Sequence, residues 1–434
     1  MLEHHVRARV AGLPNVALRH GHVEDVLAGR GARSAAVTVT GVRLAGDERL
    51  HADLVVDASG RAARSLRWLE RLGLGCVAPP LSAVHVDMGY ATRILRRDPG
   101  DGRDWRVAIV IGDPPSSAGV AFALEDEQWM VTLAGFHGDH PPTTASGWAE
   151  FAATLPDPAI AELIAESEPL SAIVPHRMAA SLRRHVERLH QRQLAGGLVL
   201  LGDAVASFNP IYGQGISAAA LQAEALATAL DRCDGLGAGF VRTYNRLAGR
   251  AVAAPWRLSV GGDFALPQTT GAKPWGTALT TSYLRRTLQA AQHDEVVAQR
   301  LVEVTHLLRP PSALLAPAVA LRVRTAWGVI CDCQRSPAPV SDDQRCSFRL
   351  SYLPATLANM RSRAAPFVAA PPTGARIRTR LRVEEPDAQV LWLVGTHLGR
   401  LASLDLAVRC QLGADDDQRT ERQRALTAAS SSRW

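Results

Sequence analysis

The chain has 434 residues, of which 47% are hydrophobic and 21% are charged, a balance typical of a protein with a sizeable core in two or three domains. It has no uninterrupted apolar run of about 18 residues, which excludes a conventional membrane-spanning helix. The net charge of +6 comes from arginines scattered along the chain, with Lys273 as the single lysine, so we expect no nucleic-acid partner. The first residues lack the apolar core of a signal sequence, and we expect a cytoplasmic protein without disulfides.

The first sixty residues predict a series of short strands. Val16–Arg19 is the first, and the β-branched runs Ala35–Thr40 and Gly41–Leu44 predict a hairpin-like pair. Leu54–Gly60, with the sequence LVVDASG, predicts a buried strand that ends in a turn of small residues. No G-x-G-x-x-G turn, the usual mark of a dinucleotide-binding domain, occurs near the start.

Four strand-like runs follow, separated by turn residues: Val84–Ile94, Arg106–Ile111, Gly119–Leu124 and Gln128–Gly135. Consecutive strands joined by short turns predict an antiparallel sheet. The larger side chains within these runs are expected to pack in the sheet rather than line a pocket; they are Tyr90, Arg93, Phe122, Trp129 and Phe136.

Two helical patterns, Ser146–Leu155 and Pro158–Ser167, come after the sheet. A basic segment then contains Arg183, Arg184, Arg188 and Arg192, for which we predict a solvent-exposed helix face. The residues HGDHPPT around His137 predict a turn, and no metal site is predicted.

The segment from Leu198 to Leu230 has the clearest organisation in the chain. Leu198–Leu201 predicts a buried strand, and a loop rich in Gly, Asp, Asn and Pro follows from Gly202 to Gly215. From Ile216 onward an Ala-rich helix is predicted, with an apolar stripe of Ile216, Ala219, Ala220, Ala223, Ala227 and Leu230. A strand, a glycine loop and a helix N-terminus together favour a site for an anionic or electron-rich group.

The order GDA, NP and GQG in this loop resembles the second flavin motif of FAD-dependent monooxygenases of the para-hydroxybenzoate hydroxylase and squalene epoxidase kind. The resemblance implies that Asp203 bonds the ribityl chain of FAD, and that Pro210, Gly213 and Gly215 lie along the isoalloxazine ring. The cofactor-binding residues that it implies in this loop are Gly202, Asp203, Pro210, Gly213, Gln214, Gly215 and Ile216.

A second part of the resemblance lies in the DASG turn. Asp57, Ala58, Ser59 and Gly60 match the D-A-[ST]-G segment of that family, whose turn packs beside the FAD pyrophosphate, so they complete the predicted cofactor-binding set. Ala62 and Ala63 stand where the family usually has a second Gly and a Ser, which weakens any prediction of hydroxyl contacts from this turn.

The resemblance covers about Leu2 to Val323 and extends to bacterial polyketide-type epoxidases. It implies an α/β (α+β) fold: an incomplete Rossmann-like FAD-binding domain, an inserted antiparallel substrate-domain sheet and C-terminal helices. The predicted divisions are a partial FAD-binding domain without its N-terminal βαβ unit (1–75), the inserted sheet (76–180), the return of the FAD-binding domain (181–250) and a helical region (251–325). The segment RAVAAPWRLSVGGDFALP, Arg250–Pro267, resembles the part of the family that closes one side of the pocket.

Residues 326–434 are left without a predicted role. They contain four of the six cysteines, whose spacing is poor for zinc, and they show little sustained periodicity. Disorder or a frameshifted extension is expected there, with Gln389–Leu398 as one strand or short helix.

No nucleophile–base pair, P-loop or zinc-protease motif is found in the sequence, so a cofactor is expected to supply the chemistry, and no catalytic residue is named. The resemblance implies an FAD-dependent monooxygenase, an epoxidase or hydroxylase of secondary metabolism. Such an enzyme uses O₂ and a flavin C4a-hydroperoxide to oxidise a hydrophobic small molecule. NAD(P)H is the expected electron donor, directly or through a separate flavin reductase. Two alternatives stay open: a flavin-dependent C=C reductase of the geranylgeranyl reductase type, and an inactive remnant that lacks the first nucleotide-binding motif.

Overall fold

The computed structural model of the chain describes residues 2–30, 37–73, 78–103, 105–112, 116–190, 195–291, 293–325, 389–395 and 405–411. Its first eleven strands are β1 (Val16–His20), β2 (Val23–Arg30), β3 (Val37–Leu44), β4 (Arg49–His51), β5 (Leu54–Ala58), β6 (Leu81–Arg96), β7 (Val107–Ile111), β8 (Ser117–Leu124), β9 (Gln128–Phe136), β10 (Val174–Arg184) and β11 (Leu198–Leu200). They are followed by β12 (Ala206–Ser207), β13 (Thr270–Gly271), β14 (Gln389–Gly395) and β15 (Asp405–Gln411). The helices are α1 (Leu2–Ala11), α2 (Arg64–Arg71), α3 (Ala145–Ala153), α4 (Ala159–Glu166), α5 (Gly215–Arg232), α6 (Ala238–Ala251), α7 (Ala253–Asp263), α8 (Thr277–Ala291) and α9 (Glu295–Thr305).

The strand that carries the DASG turn, β5, lies inside a five-stranded sheet of order β1-β15-β14-β5-β11. It runs parallel to both of its neighbours, β14 and β11. Leu54, Val55 and Val56 are fully buried, as expected for a strand covered on both faces. The C-terminal segment thus supplies β14 and β15 to this sheet, and of the two alternatives for Gln389–Leu398 the strand is confirmed over Gln389–Gly395.

The chain between β5 and β11 forms the second sheet, of order β12-β10-β6-β9-β8-β7, with β13 paired to β6. Its strands pair antiparallel throughout, and the four predicted runs correspond to β6, β7, β8 and β9. Helices α3 and α4 cover one face, where Trp129, Leu133, Trp148 and Ile160 share a single apolar core. The predicted α/β architecture with an inserted antiparallel sheet and C-terminal helices is therefore confirmed.

A small third sheet, β2-β3-β4, corrects the prediction of a hairpin at Gly41. Residues Val37 to Leu44 form one continuous strand, in which Gly41 pairs with Leu27 on one side and His51 on the other. Gly41 has φ +148°, and a Cβ there would lie 2.0 Å from the carbonyl oxygen of Leu50. The glycine is needed for close strand approach rather than for a turn.

The basic segment before β11 is also corrected. Arg183 and Arg184 end β10, and Arg188 lies in the short 3₁₀ turn that follows, so these residues are not on a helix. Arg183 is only 8% exposed. Arg192 lies outside the described residues. Charge alone does not distinguish an exposed helix from a strand end that is buried by its partners, so the arginine-rich pattern does not predict the burial of Arg183.

The helices from α5 onward confirm the predicted helical region, but the buried face of α5 differs from the predicted stripe. Its buried residues are Ala218, Gln222, Ala225, Leu226 and Ala229, whereas Ile216 is 67% exposed. An Ala-rich helix has little hydrophobic contrast between its faces, so several stripes fit the sequence equally well. Among the described helices, none is long and apolar enough to cross a membrane.

Candidate functional site

The two turns singled out in the sequence lie side by side in the structure. Strands β5 and β11 are adjacent and parallel, with Leu200 opposite Asp57 in the register. The Leu201 amide donates to the Asp57 carbonyl oxygen at 2.9 Å. Because the carboxyl ends of parallel strands meet at the same sheet edge, the DASG turn and the GDA turn face the same edge, where open α/β sheets commonly bind ligands.

The DASG turn is held by the carboxylate of Asp57, which is fully buried. One of its oxygens accepts from the amide and hydroxyl of Ser59, at 2.9 and 2.5 Å. The other accepts from the amide of Ser65 at 3.2 Å and from the Ser65 hydroxyl, in the first turn of α2. Asp57 therefore stabilises the turn and accepts from a backbone amide at the N-terminus of α2. Ala58 and Gly60 contribute only backbone groups to the turn.

The GDA turn is anchored from helix α5. Gly202 has φ +67° and begins a 3₁₀ turn over Gly202–Ala204, in which Asp203 is partly exposed. The Gly202 amide donates to Gln222 Oε1 at 2.9 Å, and Gln222 Nε2 donates to the Ala218 carbonyl at 3.1 Å. Gln222 is fully buried and was missed in the sequence. A glutamine within an Ala-rich helix gives no signal of which backbone group it will reach.

The loop after β12 is also held by a buried amide. Asn209 is fully buried, and its Oδ1 accepts from the Ile211 amide at 3.2 Å. Its Nδ2 donates to Asp263 Oδ1 at 2.8 Å. A 3₁₀ turn follows over Pro210–Tyr212, and helix α5 begins at Gly215. Asn209 thus sets the approach of the chain to the helix N-terminus.

The outer edge of this loop is open. An ideal Cβ on Gly213 or Gly215 would have no neighbouring heavy atom within 4 Å, and Ile216 is exposed beside them. The side chain of Gln214 instead turns inward, where its Nε2 donates to the Thr305 carbonyl at 3.1 Å. We call the open surface formed by Gly213, Gly215 and Ile216 the glycine edge. It carries the first amide groups of α5, which have no acceptor within the helix.

Arg184 connects the two turns. Its guanidinium donates to the carbonyl of Ala204 in the GDA turn at 3.1 Å and to the carbonyl of Arg61, just after the DASG turn, at 2.8 Å. Burial lowers the pKa of Arg184, and the negative charge of Asp57 opposes that shift. Two strand ends that are distant in sequence are therefore joined by one charged side chain, which predictions based on local patterns did not identify.

Behind the loop lies Asp263, the last residue of α7, with only 2% of its surface exposed. Besides Asn209, the Tyr212 hydroxyl donates to Oδ1 at 3.2 Å, and the Ser181 hydroxyl donates to Oδ2 at 3.4 Å. Burial raises the pKa of Asp263 to about 6, although the three hydrogen bonds favour the ionised form. Burial together with the neighbouring carboxylate also raises the pKa of Tyr212, which stays neutral.

A second polar cluster lies at the start of β6 and the end of β10. Ser82 Oγ is 2.9 Å from His185 Nε2, and His185 Nδ1 is 3.1 Å from Glu187 Oε1. Arg183 also donates to Glu187 Oε1 at 3.0 Å, so the carboxylate is shared. Burial lowers the pKa of His185. Ser82 and His185 are separated by 103 positions, so local sequence patterns do not predict their contact.

One further cavity lies beside the small third sheet. A surface cavity of about 340 Å³ is lined by Thr38, Val39, Thr40, His51, Ala52 and Asp53. It lies on β3 and β4, away from the glycine edge. Within the described part of the chain, no group of three or more His, Cys, Asp or Glu side chains is placed to hold a metal ion.

Comparison with known proteins gives one sequence relative. No protein-family model matches the chain. Protein Rv3254 of Mycobacterium tuberculosis is 30% identical over 281 residues, which are 63% of this chain and 57% of that protein. The chain therefore spans little more than half the length of this curated relative.

Two flavin-dependent enzymes are among the solved structures with some similarity. The brominase Bmp2, as a triple mutant, gives a TM-score of 0.43 at 14% identity, covering 73% of this chain and 70% of that one. The halogenase BrvH from Brevundimonas sp. BAL3 gives 0.44 at 17% identity, covering 86% of this chain and 66% of that one. Scores below 0.5 support no conclusion about this chain.

Proposed function

We propose that the chain is an FAD-dependent oxidoreductase, a monooxygenase that acts on a hydrophobic small molecule. The observation that carries the proposal is the placement of the DASG and GDA turns side by side, after the adjacent parallel strands β5 and β11 of the five-stranded sheet, with the glycine edge beside them. The order GDA, NP and GQG that resembles a flavin motif forms the connection from β11 to α5, which leads from the GDA turn to the glycine edge. The proposal needs no side-chain nucleophile or metal, because a bound flavin supplies electron transfer and the activation of O₂.

The residues at the glycine edge fit a flat, electron-rich ring. Gly213 and Gly215 leave open space where a side chain would stand, so a ring can approach the backbone closely. The N-terminus of α5 favours negative charge on a bound group. Asp203 would accept hydrogen bonds from the hydroxyl groups of a ribityl chain, and the DASG turn would lie beside the pyrophosphate.

The hydrophobic substrate class rests on the side chains around the loop. Leu66, Tyr90, Ile211 and Phe264 are partly buried and pack against one apolar core, which also contains Val84, Met88, Met178, Phe208 and Trp256. In the proposal, the four partly buried side chains exclude water from the space above the glycine edge and orient an apolar substrate there. No side chain is proposed to transfer a proton to or from the substrate.

Titration of the full-length chain with FAD, followed by quenching of flavin fluorescence, tests the proposal. Asp203→Ala removes the proposed ribityl acceptor and is expected to weaken FAD binding by about tenfold. Asp231→Ala, a change of an exposed carboxylate near the C-terminal end of α5, is the matched control and should leave the affinity unchanged. Equal affinities for the two variants would contradict the assignment of Asp203.

Oxygen consumption separates the monooxygenase from the C=C reductase. With FAD bound and NADPH supplied, the proposal predicts that a hydrophobic alkene or aromatic substrate stimulates O₂ uptake and leaves as a product with one added oxygen. A reductase would consume NADPH to saturate the double bond, without oxygen in the product.

A further inference from the structure

Asp263 is a buried carboxylate behind the loop that leads to the glycine edge, and each side chain described as hydrogen-bonded to its carboxylate is a donor. Asn209 Nδ2 and the Tyr212 hydroxyl converge on one oxygen, at 2.8 and 3.2 Å, and the Ser181 hydroxyl donates to the other at 3.4 Å. An ionised carboxylate is acceptor-only and matches this set of donors. An amide in its place would direct an NH₂ group at one of them.

We propose that Asp263 is a positioning residue, which fixes the Asn209–Gly213 loop in the shape that receives the flavin. This inference rests on the proposed function. Asp263 does not reach the glycine edge itself; it acts through Asn209 and Tyr212, which lie on either side of Pro210.

The amide of Asn209 transmits the constraint. Because Nδ2 is committed to Asp263, Oδ1 is directed at the Ile211 amide, and this bond begins the 3₁₀ turn over Pro210–Tyr212. That turn ends at Gly213, whose amide donates to the Pro210 carbonyl at 3.0 Å. Loss of the acceptor at Asp263 would release the Asn209 side chain, and with it the turn that leads to the glycine edge.

The position of Tyr212 is fixed in the same way. A Cβ on Gly262, the residue before Asp263, would lie 2.2 Å from the Tyr212 hydroxyl oxygen. The absence of a side chain at Gly262 therefore lets the phenol reach the carboxylate. The loop is held against α7 at two points, one amide and one phenol.

In the described part of the chain, few titratable groups lie near the Asp263 carboxyl group. Tyr212 is bonded directly to Asp263 and stays neutral. His137 from the end of β9 reaches it only through Thr269, whose hydroxyl is 3.4 Å from His137 Nε2 and donates to the Asp263 carbonyl at 2.7 Å. Lys273 lies over the ring of Phe264. A pH effect that Asp263→Asn abolishes therefore reports on the Asp263 carboxyl group.

The test compares wild type, Asp263→Asn and a matched control between about pH 5 and about pH 8. Asp157→Asn is the control, since Asp157 is 4% exposed and accepts from the Ala159 amide at the start of α4, away from the loop. FAD affinity is measured by fluorescence quenching, and hydrogen exchange of the Ile211 and Gly213 amides is measured without FAD.

For wild type, FAD affinity is expected to fall as pH decreases through about 6, because protonation removes one acceptor from the donors around Asp263. Asp263→Asn is expected to bind FAD about tenfold more weakly at neutral pH, with no such pH dependence, and to exchange the two loop amides faster. Tyr212→Phe, which keeps the ring, should give a smaller loss of FAD affinity. This variant replaces Asp263→Asn in the test if Asp263→Asn does not fold.

The inference would be overturned if Asp263→Asn or Tyr212→Phe left the FAD affinity, its pH dependence and the exchange of the loop amides unchanged. It would also be overturned if the control Asp157→Asn had effects equal to those of Asp263→Asn. A wild-type chain that binds no FAD at any pH would overturn the proposed function instead, and the flavin part of this inference with it. The exchange rates, measured without FAD, would still decide whether Asp263 fixes the loop.

Discussion

The inserted antiparallel sheet and the turns of the candidate site, which follow strands β5 and β11, are stabilised in different ways. The sheet is packed by large apolar side chains, with Trp129 and Trp148 at 1% and 0% exposure in one core. The turns after β5 and β11 and the loop after β12 are held instead by the buried polar side chains of Asp57, Gln222 and Asn209 respectively. Apolar packing fixes a sheet as a whole, whereas a turn needs a particular donor or acceptor for each backbone group.

The two regions also differ in how a carboxylate is partnered. Asp101 beside the sheet pairs with Arg103, whose side chain is 21% exposed, at 2.7 Å. Behind the Asn209–Gly213 loop, the described side-chain donors to the buried Asp263 carboxylate are all uncharged, and its raised pKa expresses the free-energy cost of burying this charge. The buried charge of Asp263 therefore lowers stability near the candidate site, whereas the charge of Asp101 beside the sheet is paired. Such a local loss of stability is expected of a functional region.

The largest expected effect on stability comes from emptying the core of the sheet. Trp129→Ala removes a fully packed indole and should lower the free energy of unfolding by about 3 to 5 kcal/mol in urea titration. Trp275→Ala is the control, since Trp275 is fully exposed. FAD affinity of the folded fraction should be equal in both variants; a loss specific to Trp129→Ala would show that the two regions are coupled.

The next effect is a pH dependence from Asp263. Its pKa is raised to about 6 in the folded state, so the folded state binds more protons than the unfolded one between about pH 4 and 6. Wild type should therefore lose stability relative to Asp263→Asn as pH rises through this window, by about 3 kcal/mol in total. Urea unfolding of both proteins across the window measures it, and a difference that is constant with pH would contradict the buried charge.

A smaller loss is expected when the GDA turn is released. Gln222→Leu keeps the volume but leaves the Gly202 amide without its acceptor, and should cost about 1 to 3 kcal/mol in unfolding free energy. FAD affinity should fall with it, because the turn carries Asp203. Gln299→Leu on the exposed face of α9 provides the comparison. A neutral result for Gln222→Leu would mean that the turn holds its shape without the glutamine.

The smallest effect on stability is expected at the glycine edge itself. Ile216→Glu changes an exposed side chain and should alter the unfolding free energy by less than about 0.5 kcal/mol. It nevertheless places bulk and charge where the flavin is proposed to lie, so FAD binding should be strongly weakened. Leu279→Glu, at an equally exposed apolar position on α8, should leave binding intact. Equal binding by both variants would move the cofactor away from this edge.

The sequence predicted most of the elements because their patterns are local. The runs that became β6 to β9 are bounded by turn residues, and the order of strand, glycine loop and helix around Gly202 fits one βα unit. The hairpin at Gly41 was wrong because a glycine inside a strand can mark close strand approach as well as a turn.

The anchors of the site were not predictable in the same way. Gln222 lies 20 positions from its partner Gly202, and Asn209 lies 54 positions from Asp263. Neither distance corresponds to a helical or strand period, so only the folded chain brings these groups together. The place of β14 beside β5 could not be predicted for the same reason, since an apolar run does not specify its partner strand.

The most direct test of the proposed function is the visible absorption spectrum of the purified full-length chain, recorded before and after equilibration with FAD and removal of the excess. We predict a protein-bound flavin band at one FAD per chain, lost in Ile216→Glu and retained in Leu279→Glu. A wild-type chain that unfolds cooperatively, and so is folded, yet retains no flavin under either condition would contradict it.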